Sequence, residues 1–178
     1  MNKRTIFKDS VHCGKEVRDL LQSLFAIELI SPSDKFWLVS AWITDIPVLD
    51  NSALSFNSVS PHWKATNITL SEVLIQLARQ GTEIIIATNN DLHNASFKQR
   101  LNDRSLEALV SEKIHILSEE NDHSKSIVAD SYYLNGSMNF TQNGISVNGE
   151  TITLELDPDS VNRMRVQFNE KYKPESNM

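Results

Sequence analysis

The sequence predicts a mixed α/β fold, one β-sheet flanked by helices, in a single domain spanning residues 1–178. Three observations lead there. Strand-like and helix-like segments alternate along the chain, about six of the former and four or five of the latter. The run from Leu70 to Thr88 joins a capped helix to an apolar strand, the αβ half of a βαβ unit. Finally, 178 residues with 40% hydrophobic and 22% charged content fit a soluble globular domain with a sizeable core.

Gly14 to Ile30 reads as a helix because Val17, Leu20, Leu21, Leu24, Phe25 and Ile27 recur at near-helical spacing. Ser31-Pro32-Ser33-Asp34 breaks it. Phe36 to Ile43, rich in aromatic and β-branched residues, reads as a buried strand, and Asp45 to Pro61 as irregular. Thr69 caps a helix from Leu70 to Arg79, Glu72 is its capping-box partner, and Gly81 ends it before a strand at Thr82–Thr88. Beyond the polar loop Asn89–Asn94, short helices are predicted at Phe97–Leu101 and Ser105–Val110, then a strand at Lys113–Leu117. The acidic Glu119-Glu120-Asn121-Asp122 loop leads into strands at 124–130 and 131–137. Thr151–Leu156 alternates with period two, and Asp157-Pro158-Asp159 opens a last helix carrying Val161, Met164, Val166 and Phe168. Pro174 to Met178 reads as a frayed tail.

The net charge of −6 argues against a broadly basic, nucleic-acid-coating surface but leaves room for a local phosphate groove. Cys13 is the only cysteine, which excludes an intrachain disulfide and any cysteine-based zinc site. The N-terminus lacks a secretory apolar core, and no apolar run of about 18 residues exists, so the expectation is a cytoplasmic chain away from membranes.

The chemistry concentrates at His123-Ser-Lys125-Ser-Ile-Val-Ala-Asp130 and Gly136-Ser137-Met-Asn139. His123 and Lys125 are two apart, so an extended segment points both side chains to one face. Ser131-Tyr132-Tyr133-Leu134 can return as a second strand and bring Ser137 and Asn139 back near His123. A nucleophile, a cation and neutral donors around one point suit phosphodiester cleavage, and imidazole, with a pKa near 6.5, suits both attack and leaving-group protonation.

This pattern resembles the HKD motif of the phospholipase D superfamily, His-x-Lys-x4-Asp followed by Gly-Ser-x-Asn, with five residues between Asp130 and Gly136 where the usual form has six. The resemblance implies the phospholipase D-like fold and metal-independent, cofactor-free phosphodiesterase chemistry through a phosphohistidine. It implies His123 as the reactive imidazole, Lys125 and Asn139 as ligands of the phosphate oxygens, and Ser137 as a supporting hydrogen-bonding group. Asp130 and Gly136 are read as structural, Asp130 fixing the turn at its strand's end. Single-motif nucleases of the superfamily carry a glutamate at a similar distance after Gly-Ser-x-Asn, which points to Glu150 as the carboxylate orienting the imidazole.

One motif supplies one histidine, so the resemblance further implies a homodimer with both imidazoles at a two-fold axis. The reading is a DNA nuclease. The Trp37–Asn51 segment also looks like members of anti-phage defence islands, where an ATP-driven translocase or helicase partner would deliver substrate. A phospholipase or phosphatidyltransferase, and a non-catalytic structural subunit of a defence complex, are the alternatives. Among weaker signals, Asp45 and Asn51 are read as turn chemistry rather than cleft residues, and Trp37, Trp42 and Trp63 as core or interface aromatics rather than base-stacking platforms. Lys64, Lys98, Arg100 and Arg104 are read as scattered solvated charges, His115 as lying on the polar face of its strand, and His12-Cys13 as too isolated for a metal.

Overall fold

The computed structural model describes residues 2–8, 14–120 and 122–174. His12, Cys13, Asn121 of the acidic loop and most of the expected tail lie outside them.

In chain order the elements are β1 (Lys3–Lys8), α1 (Gly14–Ile30), β2 (Lys35–Val39), β3 (Pro47–Asp50), β4 (Asn67–Thr69), α2 (Leu70–Arg79), β5 (Glu83–Thr88), α3 (Ala95–Glu107), β6 (Ile114–Ser118), β7 (Ser126–Val128), β8 (Tyr133–Gly136), α4 (Gln142–Ser146), β9 (Glu150–Glu155) and α5 (Pro158–Lys171). Seven strands form one sheet in the order β1-β9-β8-β7-β2-β5-β6. β2, β5 and β6 run parallel, and β7, β8, β9 and β1 each join antiparallel to the preceding neighbour.

Side-chain alternation sorts the core into two layers. Phe36, Leu38, Ile84, Ile86 and Ile127 face the large cluster under α1, α2 and α3. Trp37, Val39, Ile85, Ala87 and Val128 face the other side, where Phe168 and Tyr172 of the α5 segment cover them. The period of two on both faces explains why these strands read as near-continuous apolar runs.

The helix at Leu70–Arg79 has the expected capping box, with the Thr69 amide donating to the Glu72 carboxylate at 2.9 Å, and Gly81 takes φ +106° just beyond it.

The structure departs from the sequence reading in five places. Residues 3–8 form an edge strand, and Asp45–Pro61 contains β3, which pairs with β4. The two short helices after the loop are one, α3, because Phe97, Leu101 and Ser105 make one buried stripe four residues apart. β2 stops at Val39: the buried Asn94 side chain accepts from the Ile43 amide at 2.8 Å and donates to the Ala41 carbonyl at 2.9 Å, replacing ladder partners. β7 holds only three residues, so His123 and Lys125 precede it on irregular backbone rather than within a strand.

The register brings the functional segments together. Val39 at the end of β2 pairs with Ser126 at the start of β7, Ser126 with Asn135 of β8, and Glu150 at the start of β9 with Lys8 at the end of β1. One end of the sheet therefore carries His123–Lys125, Ser137–Asn139, Glu150 and Lys8.

Candidate active site at one end of the sheet

His123 is exposed and Lys125 half-buried. The Lys125 ammonium donates to the His123 carbonyl at 2.6 Å, which folds the lysine back beside its own loop, and the Lys125 carbonyl accepts from the Gly136 amide at 3.1 Å. Gly136 permits this crossing: a Cβ there would collide with the Thr151 carbonyl oxygen across the β8–β9 ladder.

Asp122, one residue before His123, anchors the loop. Its carboxylate accepts from Tyr172 Oη at 2.5 Å, Lys171 Nζ at 2.7 Å and the Ser124 amide at 2.8 Å. Burial alone would raise its pKa, but the hydrogen bonds from Lys171, Ser124 and Tyr172 outweigh burial and hold the carboxyl far below the usual range. Burial and the bond to Asp122 push the Tyr172 phenol up to about 12. Nothing in the acidic run Glu119–Asp122 marks this carboxylate out, because its Lys171 and Tyr172 partners lie about 50 residues away.

Asn139 Oδ1 accepts from Ser40 Oγ at 3.1 Å and the Trp42 amide at 3.4 Å. Its carbonyl end is therefore tied down and its NH2 group is left to donate. Ser137 Oγ donates to the Glu150 carboxylate and accepts from the Thr151 amide at 3.0 Å. Glu150 is thus engaged by Ser137, and no hydrogen bond joins it to His123; among the described residues the His123 ring has no hydrogen-bond partner. Beside Glu150 the buried Lys8 donates to the Gly144 carbonyl at 2.8 Å, and burial lowers its pKa against the raising effect of Glu150.

Other candidates lie elsewhere. Asp130 sits at the opposite end of the sheet, pairing with Arg165 at 2.7 Å and accepting from the Asp34 amide at 2.9 Å. Asp45 caps α2 through the Ser71 amide at 2.8 Å and pairs with Arg100 at 2.9 Å, so both groups are structural. Asn51 is buried and pins its loop through the Lys64 carbonyl and the Phe56 amide. Arg104 bonds Ser71 of α2, and Lys98 bonds the Asn89 carbonyl. His115 faces Glu83 at 3.5 Å. Trp37 belongs to the core layer covered by α5 and Trp63 packs against the layer under α1, α2 and α3, but Trp42 is 44% exposed at the site's margin. Among the described residues no three His, Cys, Asp or Glu side chains cluster to hold a metal, and no helix is long and apolar enough to cross a membrane.

Residues 46–172 match the family described as cardiolipin synthase, PLD-like domain. No curated protein matches the chain. Among solved structures it is similar to Nuc, a phospholipase D family member from Salmonella typhimurium, with 14% identity, a TM-score of 0.56, and coverage of 97% of this chain and 94% of that one. NucT from Helicobacter pylori has 15% identity, a TM-score of 0.53 and 94% coverage of each chain. Phosphatidylserine synthase from Haemophilus influenzae has 13% identity and a TM-score of 0.60 over 96% of this chain, which spans only 38% of that protein. The fold is shared with all three, and the chemistry of the family is of the phosphodiesterase type. A family match over most of the chain, on a sheet that gathers the His-x-Lys and Gly-Ser-x-Asn segments at one end, makes this chain a member of the phospholipase D superfamily.

Proposed function

We propose that the chain is a metal-independent phosphodiesterase acting on DNA, with its active site completed by a second copy of itself. The observation that carries this reading is that the His123 imidazole, the Lys125 ammonium and the Asn139 amide gather at a single sheet end. His123 attacks phosphorus in line, forming an N–P bond as the P–O bond to the leaving sugar oxygen breaks. That oxygen takes its proton from the partner's His123. The partner's His123 then removes a proton from water, the water oxygen attacks phosphorus, and the N–P bond breaks to release a phosphomonoester. Lys125 and the Asn139 amide balance charge on the non-bridging oxygens in both steps. Glu150, with one oxygen on Ser137, keeps the other for an imidazole N–H.

Similarity to Nuc and NucT over nearly the whole of each chain favours a nuclease, whereas the lipid-synthase relative is matched over a minor part of its length. The net charge of −6 offers little general attraction for DNA, which favours delivery by an ATP-driven translocase or helicase, as in antiviral defence. DNA cleavage in EDTA, lost in His123→Ala, is the expected result; loss of wild-type cleavage in EDTA would refute the metal-free mechanism. The family description favours phosphatidyl transfer as a second reading, and hydrolysis of a phosphatidyl headgroup without DNA cleavage would select it. If wild type and His123→Ala behave identically in every such assay, the chain is a structural subunit.

A further inference from the structure

A cleft opens beside the Asn139 amide, walled by Trp42 after β2, Asp91 and His93 after β5, and Asn143 and Asn148 from α4 and the turn behind it. Trp42 is 44% exposed, although its neighbours Ala41 and Ile43 are buried. Its ring meets His93 at 6.2 Å between centroids and a 58° tilt, so the two rings make an open corner rather than a closed stack. The remaining wall is polar: the exposed side chains of Asn143 and Asn148 carry both donors and acceptors. Asp91, whose side chain accepts from the His93 amide at 2.8 Å, puts a carboxylate on this wall, which disfavours a second phosphate and suits the amino groups of a base.

Resting on the nuclease reading, we propose that this corner is a nucleobase subsite. Trp42 stacks on a base next to the scissile phosphate, and the asparagine amides and Asp91 meet its edge. Asn139 couples the two sites, since it lines this cleft and its carbonyl end accepts from the Trp42 amide, while its free NH2 end is the donor assigned to the phosphate. A base can enter only when it is unpaired, so the substrate class is single-stranded DNA or a frayed or flipped nucleotide.

The test compares a normal single-stranded oligonucleotide with one abasic at every position, using wild type, Trp42→Ala and Trp42→Phe. Wild type should prefer the base-bearing strand, and Trp42→Ala should erode that preference by about 10-fold, within the roughly 5- to 150-fold range expected for one lost stack, through KM rather than kcat. Trp42→Phe should recover most of it. An equal loss on both strands, no loss on either, or a Trp42→Ala variant that changes oligomeric state on a sizing column overturns the subsite and leaves the nuclease reading standing. Failure of wild type to cleave either strand removes the nuclease reading, and the subsite with it.

Discussion

Replacing Asp122 with asparagine should both destabilise the fold and loosen the catalytic loop. The Asp122 side chain is 8% exposed and holds three donors. Asparagine keeps one accepting oxygen and turns an NH2 group towards the rest. The Lys171 pair contributes little, because Lys171 is 54% exposed. The Tyr172 hydroxyl matters more: Tyr172 is 1% exposed, and leaving a buried donor unpaired costs about 1–3 kcal/mol. With a weakened bond from the Ser124 amide, the sum is about 2–3 kcal/mol, or a fall in Tm of roughly 4–12 °C for a chain of this size. The pH dependence has a definite sign. The folded-state pKa of Asp122 is depressed, so its contribution is full above the unfolded value, about 3.9, and fades as pH falls towards the folded one. Circular-dichroism melts of wild type and Asp122→Asn should therefore be separated by a constant gap from pH 7 to 5, and that gap should narrow below pH 4. Because Asp122 adjoins His123, kcat should fall as well. Equal Tm values within 1 °C, or a gap as wide at pH 3 as at pH 7, would refute the reasoning.

Three other substitutions have distinct readouts. Asn139→Asp keeps an acceptor for Ser40 and Trp42 but replaces the free NH2 donor with a carboxylate oxygen; kcat/KM should fall roughly 10²–10³-fold with little change in Tm. Gly136→Ala drives a methyl group into the Thr151 carbonyl and should cost about 3 kcal/mol or more in urea unfolding, since backbone cannot yield as a side chain would. Glu28, 1% exposed against Ser33, has a pKa raised by burial, so stability is greatest below its unfolded value and is lost as pH rises through the folded one. Melts from pH 4 to 8 should show wild-type Tm declining more steeply than that of Glu28→Gln.

What the sequence made legible was local. The α2 caps and the apolar strands of the sheet centre rest on neighbours a few residues away, and so does the spacing of the motif. What escaped depends on distant partners. β1 alternates only weakly, with Ile6 buried and Phe7 exposed, and becomes a strand because β9, far along the chain, pairs with it. Polar residues 102–104 look like a helix break until Arg104 is seen reaching Ser71 of α2. The same holds in the site. His123, Lys125 and Asn139 could be found by pattern, but Asp122 and Ser40 act through groups that only the fold brings near.

Among the described residues, His123 is the one imidazole beside Lys125, and that leads to the last prediction. His93 is the other described histidine on this side, and it packs against Trp42 rather than beside Lys125. If a second copy supplies the missing imidazole, a dimer with one His123→Ala subunit lacks either the nucleophile or the leaving-group acid and is inactive as a whole. Unfolding and refolding wild type with an equal amount of His123→Ala should then leave about a quarter of the dimers with both imidazoles, and activity should fall with the square of the wild-type fraction. A chain that works alone would instead lose activity in linear proportion. Provided sizing shows the co-refolded protein to be dimeric, a linear dependence refutes the shared site, because each chain would then be completing the reaction with its own groups.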